Sequence, residues 1–241
     1  MNTVSMLAGE IRLALETTHP ALRKTILRKL PILVAAMVEA KTVNTTRLAA
    51  VLPLATKRMD MRLQWIARLL ENRLLVSRKI IEPFARRVVQ QAVEQESVLV
   101  LRLIQETLLD RFHIVMVNVI RGTQTVPLLW RVETSTEDRM TQRLSEQVLS
   151  WIPEKTTMRW WVDPRSASEG SPQGIDEIFS GVTAQGMPLT KTHLHDATRI
   201  DHLVLVMVLT LYWHNRCLSS QPLAASAESS CGFDFRRSTS T

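Results

Sequence analysis

Apolar and polar positions along the chain change period near residue 97. From residue 22 to 95 they recur every three or four residues, the period of a helix. Leu22, Ile26, Leu27, Leu30, Leu33 and Val34 form one stripe, and Pro31 within it predicts a kink or a break between two helices. Asn44 predicts an N-cap for a short helix over 45–51, stopped by Pro53. Further amphipathic helices are predicted over 58–70 and 79–95, with Glu82-Pro83 as a candidate start for the second. From Val98 the period shortens. Residues 98–104, 113–120 and 126–132 are β-branched apolar runs, and the last two flank a tight connection at Arg121-Gly122-Thr123-Gln124. A helix over 137–151 and a strand over 158–162 follow, the strand ending at Asp163. Residues 164–174 read as a loop and 175–185 as a helix stopped by Gly186. Asp196 predicts the cap of a last helix, apolar on all sides and so buried against the sheet. From Leu218 the Ser/Ala-rich tail predicts disorder.

Three strands in a meander, a helix and a fourth strand predict an α/β chain. The order suggests a ribonuclease-H-like α/β core (97–217), preceded by an N-terminal all-helical domain (1–96) and followed by a tail (218–241) expected to be disordered.

Charge adds a partner to this picture. Residues 1–96 hold 16 Lys/Arg and 8 Asp/Glu, a net +8; the remaining 14 basic and 15 acidic residues net −1. A basic helical module ahead of a near-neutral core points to a polyanion, with nucleic acid first; a solvated basic face is the equal alternative. Arg47, Lys57, Arg58, Arg62 and Arg68 are the candidate DNA-binding residues around the two middle helices. Cys217 and Cys231 have no metal-ligand spacing and argue against a zinc site or a disulfide framework. No signal peptide is expected in residues 1–18, and the apolar run 203–213 is too short to span a bilayer. The expected setting is cytoplasmic, with no membrane and no small-molecule substrate; a homodimer is left open.

The stretch DRFHIVMVNVIRGTQTVPLLWRVE (110–133) resembles the core of the cut-and-paste insertion-sequence DDE transposases, in which a strand leads through an Arg-Gly turn into a PLLWRV strand. KTVNTTRLAAVLP (41–53) is similar to a segment of that family's N-terminal domain, which binds transposon ends, with Lys41, Asn44, Arg47 and Leu48 at the matching positions; the resemblance adds Lys41 to the DNA-binding candidates. GIDEIFSGVTAQGMPLTKTHLHD (174–196) is similar to a third family segment. The resemblance covers roughly residues 10–215, in two blocks.

The resemblance implies DNA binding and DNA transposition, with phosphodiester cleavage and strand transfer by two Mg²⁺ ions held on three carboxylates. Asp163 takes the second carboxylate position and Asp176 the third, which makes them the implied metal ligands. The first position holds Ile104; Glu106, two residues on and on the same strand face, is its stand-in as a catalytic residue. Arg102 on that face opposes a cation. The family's tyrosine, arginine and lysine positions hold Glu169, Pro172 and Thr183, and its long segment between the second and third carboxylates is shortened to 164–175. Three outcomes stay open: a Mg²⁺-dependent transposase, a catalytically dead DNA-binding remnant that competes with an intact transposase, and a remnant that does not fold stably.

Overall fold

The computed structural model of the 241-residue chain describes residues 2–108, 110–122, 124–134, 138–162, 175–179, 189, 194 and 196–218, with the side chains of 138, 139, 162, 176, 177 and 216–218 outside that description. The helices are α1 (Thr3–Thr18), α2 (Lys24–Ala40), α3 (Thr45–Val51), α4 (Met59–Leu70), α5 (Ser77–Gln95), α6 (Asp138–Leu149), α7 (Ile175–Ile178) and α8 (Ala197–Leu218). The strands are β1 (Leu99–Leu108), β2 (Phe112–Arg121), β3 (Gln124–Glu133) and β4 (Met158–Val162). They form one mixed sheet in the order β3-β2-β1-β4, with β1, β2 and β3 antiparallel and β4 parallel to β1. The chain is therefore mixed α/β, with helices leading and the sheet following.

Local signals explain several boundaries. Asn44 Oδ1 accepts from the Thr46 and Arg47 N–H groups at 3.0 and 3.1 Å, so α3 starts where its cap stands. Asp196 Oδ1 likewise accepts from Arg199 N at 3.0 Å and opens α8. The β2–β3 connection is two residues long, with Arg121 paired to Gln124 and Gly122 at φ +56°, a conformation that a Cβ would strain.

The break allowed at Pro31 and the helix start suggested at Pro83 are corrected. The helix α2 runs unbroken through Pro31. A proline inside a helix costs about 3 kcal/mol, but Leu30, Leu33, Val34 and Met37 around it are fully buried. Each such burial is worth about 1.5–3 kcal/mol, so packing wins. Pro83 also lies inside its helix, because α5 begins at Ser77, two residues before the predicted range and six before Pro83. The strand β1 extends four residues beyond the predicted 104, to Leu108, held by a continuous ladder to β2.

The core is one cluster that joins the elements of 1–96 to those of 97–217. Its axis is α8, where Leu203–Val208 are all at most 1% exposed. This helix packs on α2, α4, α5 and β3, so it is covered by the N-terminal helices as well as by the sheet. Two of its polar groups bond to neighbouring elements: His202 Nδ1 meets Leu70 O at 2.6 Å at the end of α4, and the Tyr212 hydroxyl donates to Pro127 O in β3. No helix among the described residues is long and apolar enough to cross a membrane. The predicted disordered tail from 219 onward, the predicted loop at 164–174 with the shortened family segment, and the predicted helix beyond 179 lie outside the described residues; Leu218 itself is the last residue of α8.

Candidate nucleic-acid interface

The six predicted DNA-binding cations fall around α3, the loop 52–58 and α4, but they do not act alike. Arg62 points into the hairpin. Its guanidinium donates to Ala49 O and Thr56 O at 2.8 Å, Ala50 O at 2.9 Å and Leu54 O at 3.2 Å. Carbonyls at the end of α3 have no intrahelical donor, and Arg62, with its five N–H groups in a fixed fork, supplies it. Arg62 thus ties α3 and the loop to α4, and its donors are spent on backbone rather than open to phosphate.

Arg58 is exposed but paired, with Nη2 2.6 Å from Asp60 Oδ2. That hydrogen bond holds the Asp60 carboxyl below its ordinary value. Lys41 sits at the end of α2 in the left-handed region (φ +48°), with its N–H donating to Met37 O at 2.9 Å. Burial, and then the charge of Lys41, holds the His214 imidazole of α8 below its ordinary value. Arg47, Lys57 and Arg68 are exposed and have no carboxylate within ion-pair distance among the described residues.

Arg68 has neighbours that sequence reasoning missed. It lines a groove of about 280 Å³ between α2 and α4 together with Lys29, Leu54, Met61, Gln64 and Trp65. Lys29 Nζ stands 6.0 Å from the centre of the Trp65 ring. A signal was present: Met61, Trp65 and Arg68 recur at spacings of four and three along α4, which places them on one face. Lys29 comes from a different helix, so only the packing of α2 on α4 brings it there.

The predicted catalytic positions lie on the sheet, apart from these helices. Ile104 is 2% exposed and follows Leu103, whose partner Val162 ends β4. Arg102 pairs across the sheet with Trp161, and its guanidinium lies 5.6 Å from that ring's centre. Glu106 is half-buried, and its Oε2 accepts from Ile175 N at 2.8 Å, where α7 begins. The structure thus brings Glu106 to the backbone one residue before Asp176. Asp163 and the side chains of Asp176 and Glu177 lie outside the described residues. On β1, a two-ion Mg²⁺ site would meet an isoleucine, an arginine and one carboxylate already bonded to an N–H. Of the three implied carboxylate ligands, only the Glu106 side chain falls among the described residues.

A second polar cluster ties the sheet to the helices. Asp201 of α8 accepts from Ser77 Oγ at 2.5 Å and from Trp130 Nε1 at 2.9 Å. Burial raises its carboxyl above the ordinary value, against the hydrogen bonds and the charges of His202 and Arg131. This cluster lies under the start of α5, and its role is to lock α5, β3 and α8 together.

Comparison with protein-family models, with curated proteins and with solved structures finds no match to this chain. The class that fold and site define is a mixed α/β protein with a basic, all-helical N-terminal part.

Proposed function

We propose that this chain is a DNA-binding protein of transposase descent, with a ribonuclease-H-like core, whose α3–α4 hairpin meets the phosphate backbone. One observation carries the reading: Arg47, Lys57 and Arg68 are exposed and have no carboxylate partner among the described residues, on a hairpin stiffened by Arg62. A rigid element with unneutralised cations is what phosphate contacts need, because each such contact releases a condensed counterion. The antiparallel meander with β4 returning parallel to β1 supports the ribonuclease-H-like assignment. Binding in this reading requires no metal, since β1 lacks the first carboxylate.

The experiment is a titration of duplex DNA binding against salt, with and without Mg²⁺. Affinity is expected to fall steeply between about 50 and 200 mM salt. Arg47→Ala and Lys57→Ala are each expected to reduce the slope of log affinity against log salt by about one. A slope that neither variant changes would sink the assignment of the hairpin.

A second reading, an active strand-transfer enzyme, is favoured by the contact of Glu106 with Ile175 N beside Asp176. It requires Mg²⁺-dependent nicking of duplex DNA that disappears in Glu106→Gln and in Asp163→Ala. Nicking that survives both would remove these residues from the chemistry.

A further inference from the structure

We propose that the groove between α2 and α4 holds an unstacked base of a single-stranded DNA segment adjoining the bound duplex. The inference rests on the DNA-binding reading and adds a strand-specific subsite to it. The groove has an indole wall (Trp65), apolar sides (Leu54, Met61), one amide (Gln64) and two cations (Lys29, Arg68), with no carboxylate in its lining. That combination matches a nucleotide: an aromatic face for the base and cations for the flanking phosphates. Its volume of about 280 Å³ lies at the lower edge of small-ligand pockets, roughly 300–1,000 Å³. It suits one planar group. At 6.0 Å, Lys29 stands at the outer limit of cation–π range, so an entering base can take the ring face while the ammonium turns to a phosphate. The groove also borders the loop that carries Lys57, which places the cavity next to the hairpin proposed to hold the duplex.

The full chain is tested against two duplexes of equal paired length, one blunt and one with a single-stranded overhang carrying 2-aminopurine. Wild-type protein is expected to prefer the overhang DNA and to change the probe's fluorescence on binding. In Trp65→Ala the ratio of overhang to blunt affinity is expected to fall about tenfold or more, and the probe signal to disappear. Trp65→Phe, which keeps an aromatic face, should retain most of both. Where Trp65→Ala does not fold, Arg68→Glu at the exposed rim serves instead, with the same fall in the ratio expected. A ratio unchanged in both variants, or a probe signal that persists in them, overturns the subsite while duplex binding stands. Self-association that Trp65→Ala abolishes, with no overhang preference, would assign the groove to a second copy and overturn it too. If wild-type protein binds neither DNA at low salt, the DNA-binding reading has failed and the subsite falls with it.

Discussion

Replacing Arg62 by Ala removes a guanidinium that donates to four carbonyl oxygens, at 2.8, 2.8, 2.9 and 3.2 Å. The cost depends on which carbonyls water can reach afterwards. Ala50 is exposed, so its carbonyl is rehydrated at little loss; Ala49 is fully buried, and Leu54 and Thr56 are half-buried. A hydrogen bond to a charged group is worth about 1.5–3 kcal/mol, and one replaced by water about 0.5–1 kcal/mol. One bond of the first kind and two or three of the second give about 4 kcal/mol. For a chain of this size that lowers Tm by roughly 8–16 °C. The Arg62→Lys variant keeps a point charge without the fork and reaches fewer of these carbonyls, so about half the loss is expected. The assay is thermal unfolding followed by far-ultraviolet circular dichroism, run beside Arg47→Ala, whose side chain makes no such contacts. An unchanged Tm for Arg62→Ala, with DNA affinity reduced as in Arg47→Ala, would put Arg62 on DNA and refute the clamp.

Asn44→Ala removes the acceptor for two N–H groups and is expected to cost about 1 kcal/mol, read as a lower Tm; no change would mean that α3 is held by Arg62 alone. Lys41→Gly relieves a left-handed backbone and is expected to stabilise by about 0.5 kcal/mol, while reducing the salt slope of DNA binding; a loss of stability would show that the lysine stem packs. Burial raises the Asp201 carboxyl above 3.8, so the folded state binds more protons than the unfolded state over that window, and stability from this group falls as pH rises through it. Asp201→Asn keeps the shape without the charge. Its Tm relative to wild type is therefore expected to rise with pH from about 3.8 toward neutrality, and a difference independent of pH would contradict the buried-anion account. Asp201→Leu strands the buried Ser77 and Trp130 donors and is expected to cost about 2–5 kcal/mol.

Residue pattern alone located the elements from residue 22 onward, while α1 (Thr3–Thr18) was covered only by the all-helical reading of 1–96. The short-range rules that set them act within a few residues: Asn44 and Asp196 cap helices, Gly122 turns a hairpin, and alternating or β-branched runs make strands. The same rules allowed a break at Pro31 and a helix start at Pro83 that the fold does not have, because a proline penalty is local while the burial that outweighs it comes from neighbouring helices. The all-apolar character of α8 predicted burial. It could not say that α2, α4 and α5 would share the covering with β3, since hydrophobicity carries no address.

The candidate site divides in the same way. Sequence counted six cations around α3 and α4 but could not rank them, because charge in a sequence is the same whether a side chain faces solvent or a carbonyl. Packing decided that Arg62 is an internal clamp, that Arg58 is neutralised by Asp60, and that Lys29 of α2 shares a groove with Trp65 and Arg68 of α4. On the sheet, sequence named Ile104 and Glu106 by their positions; the strand register then put Ile104 beside the end of β4, and a long-range hydrogen bond joined Glu106 to Ile175. Composition and local spacing determined the elements, the net charge and the residue types available for chemistry. Which of those residues stand together, and which remain free to meet a partner, depended on contacts between segments far apart in the chain, and these only the tertiary structure decides.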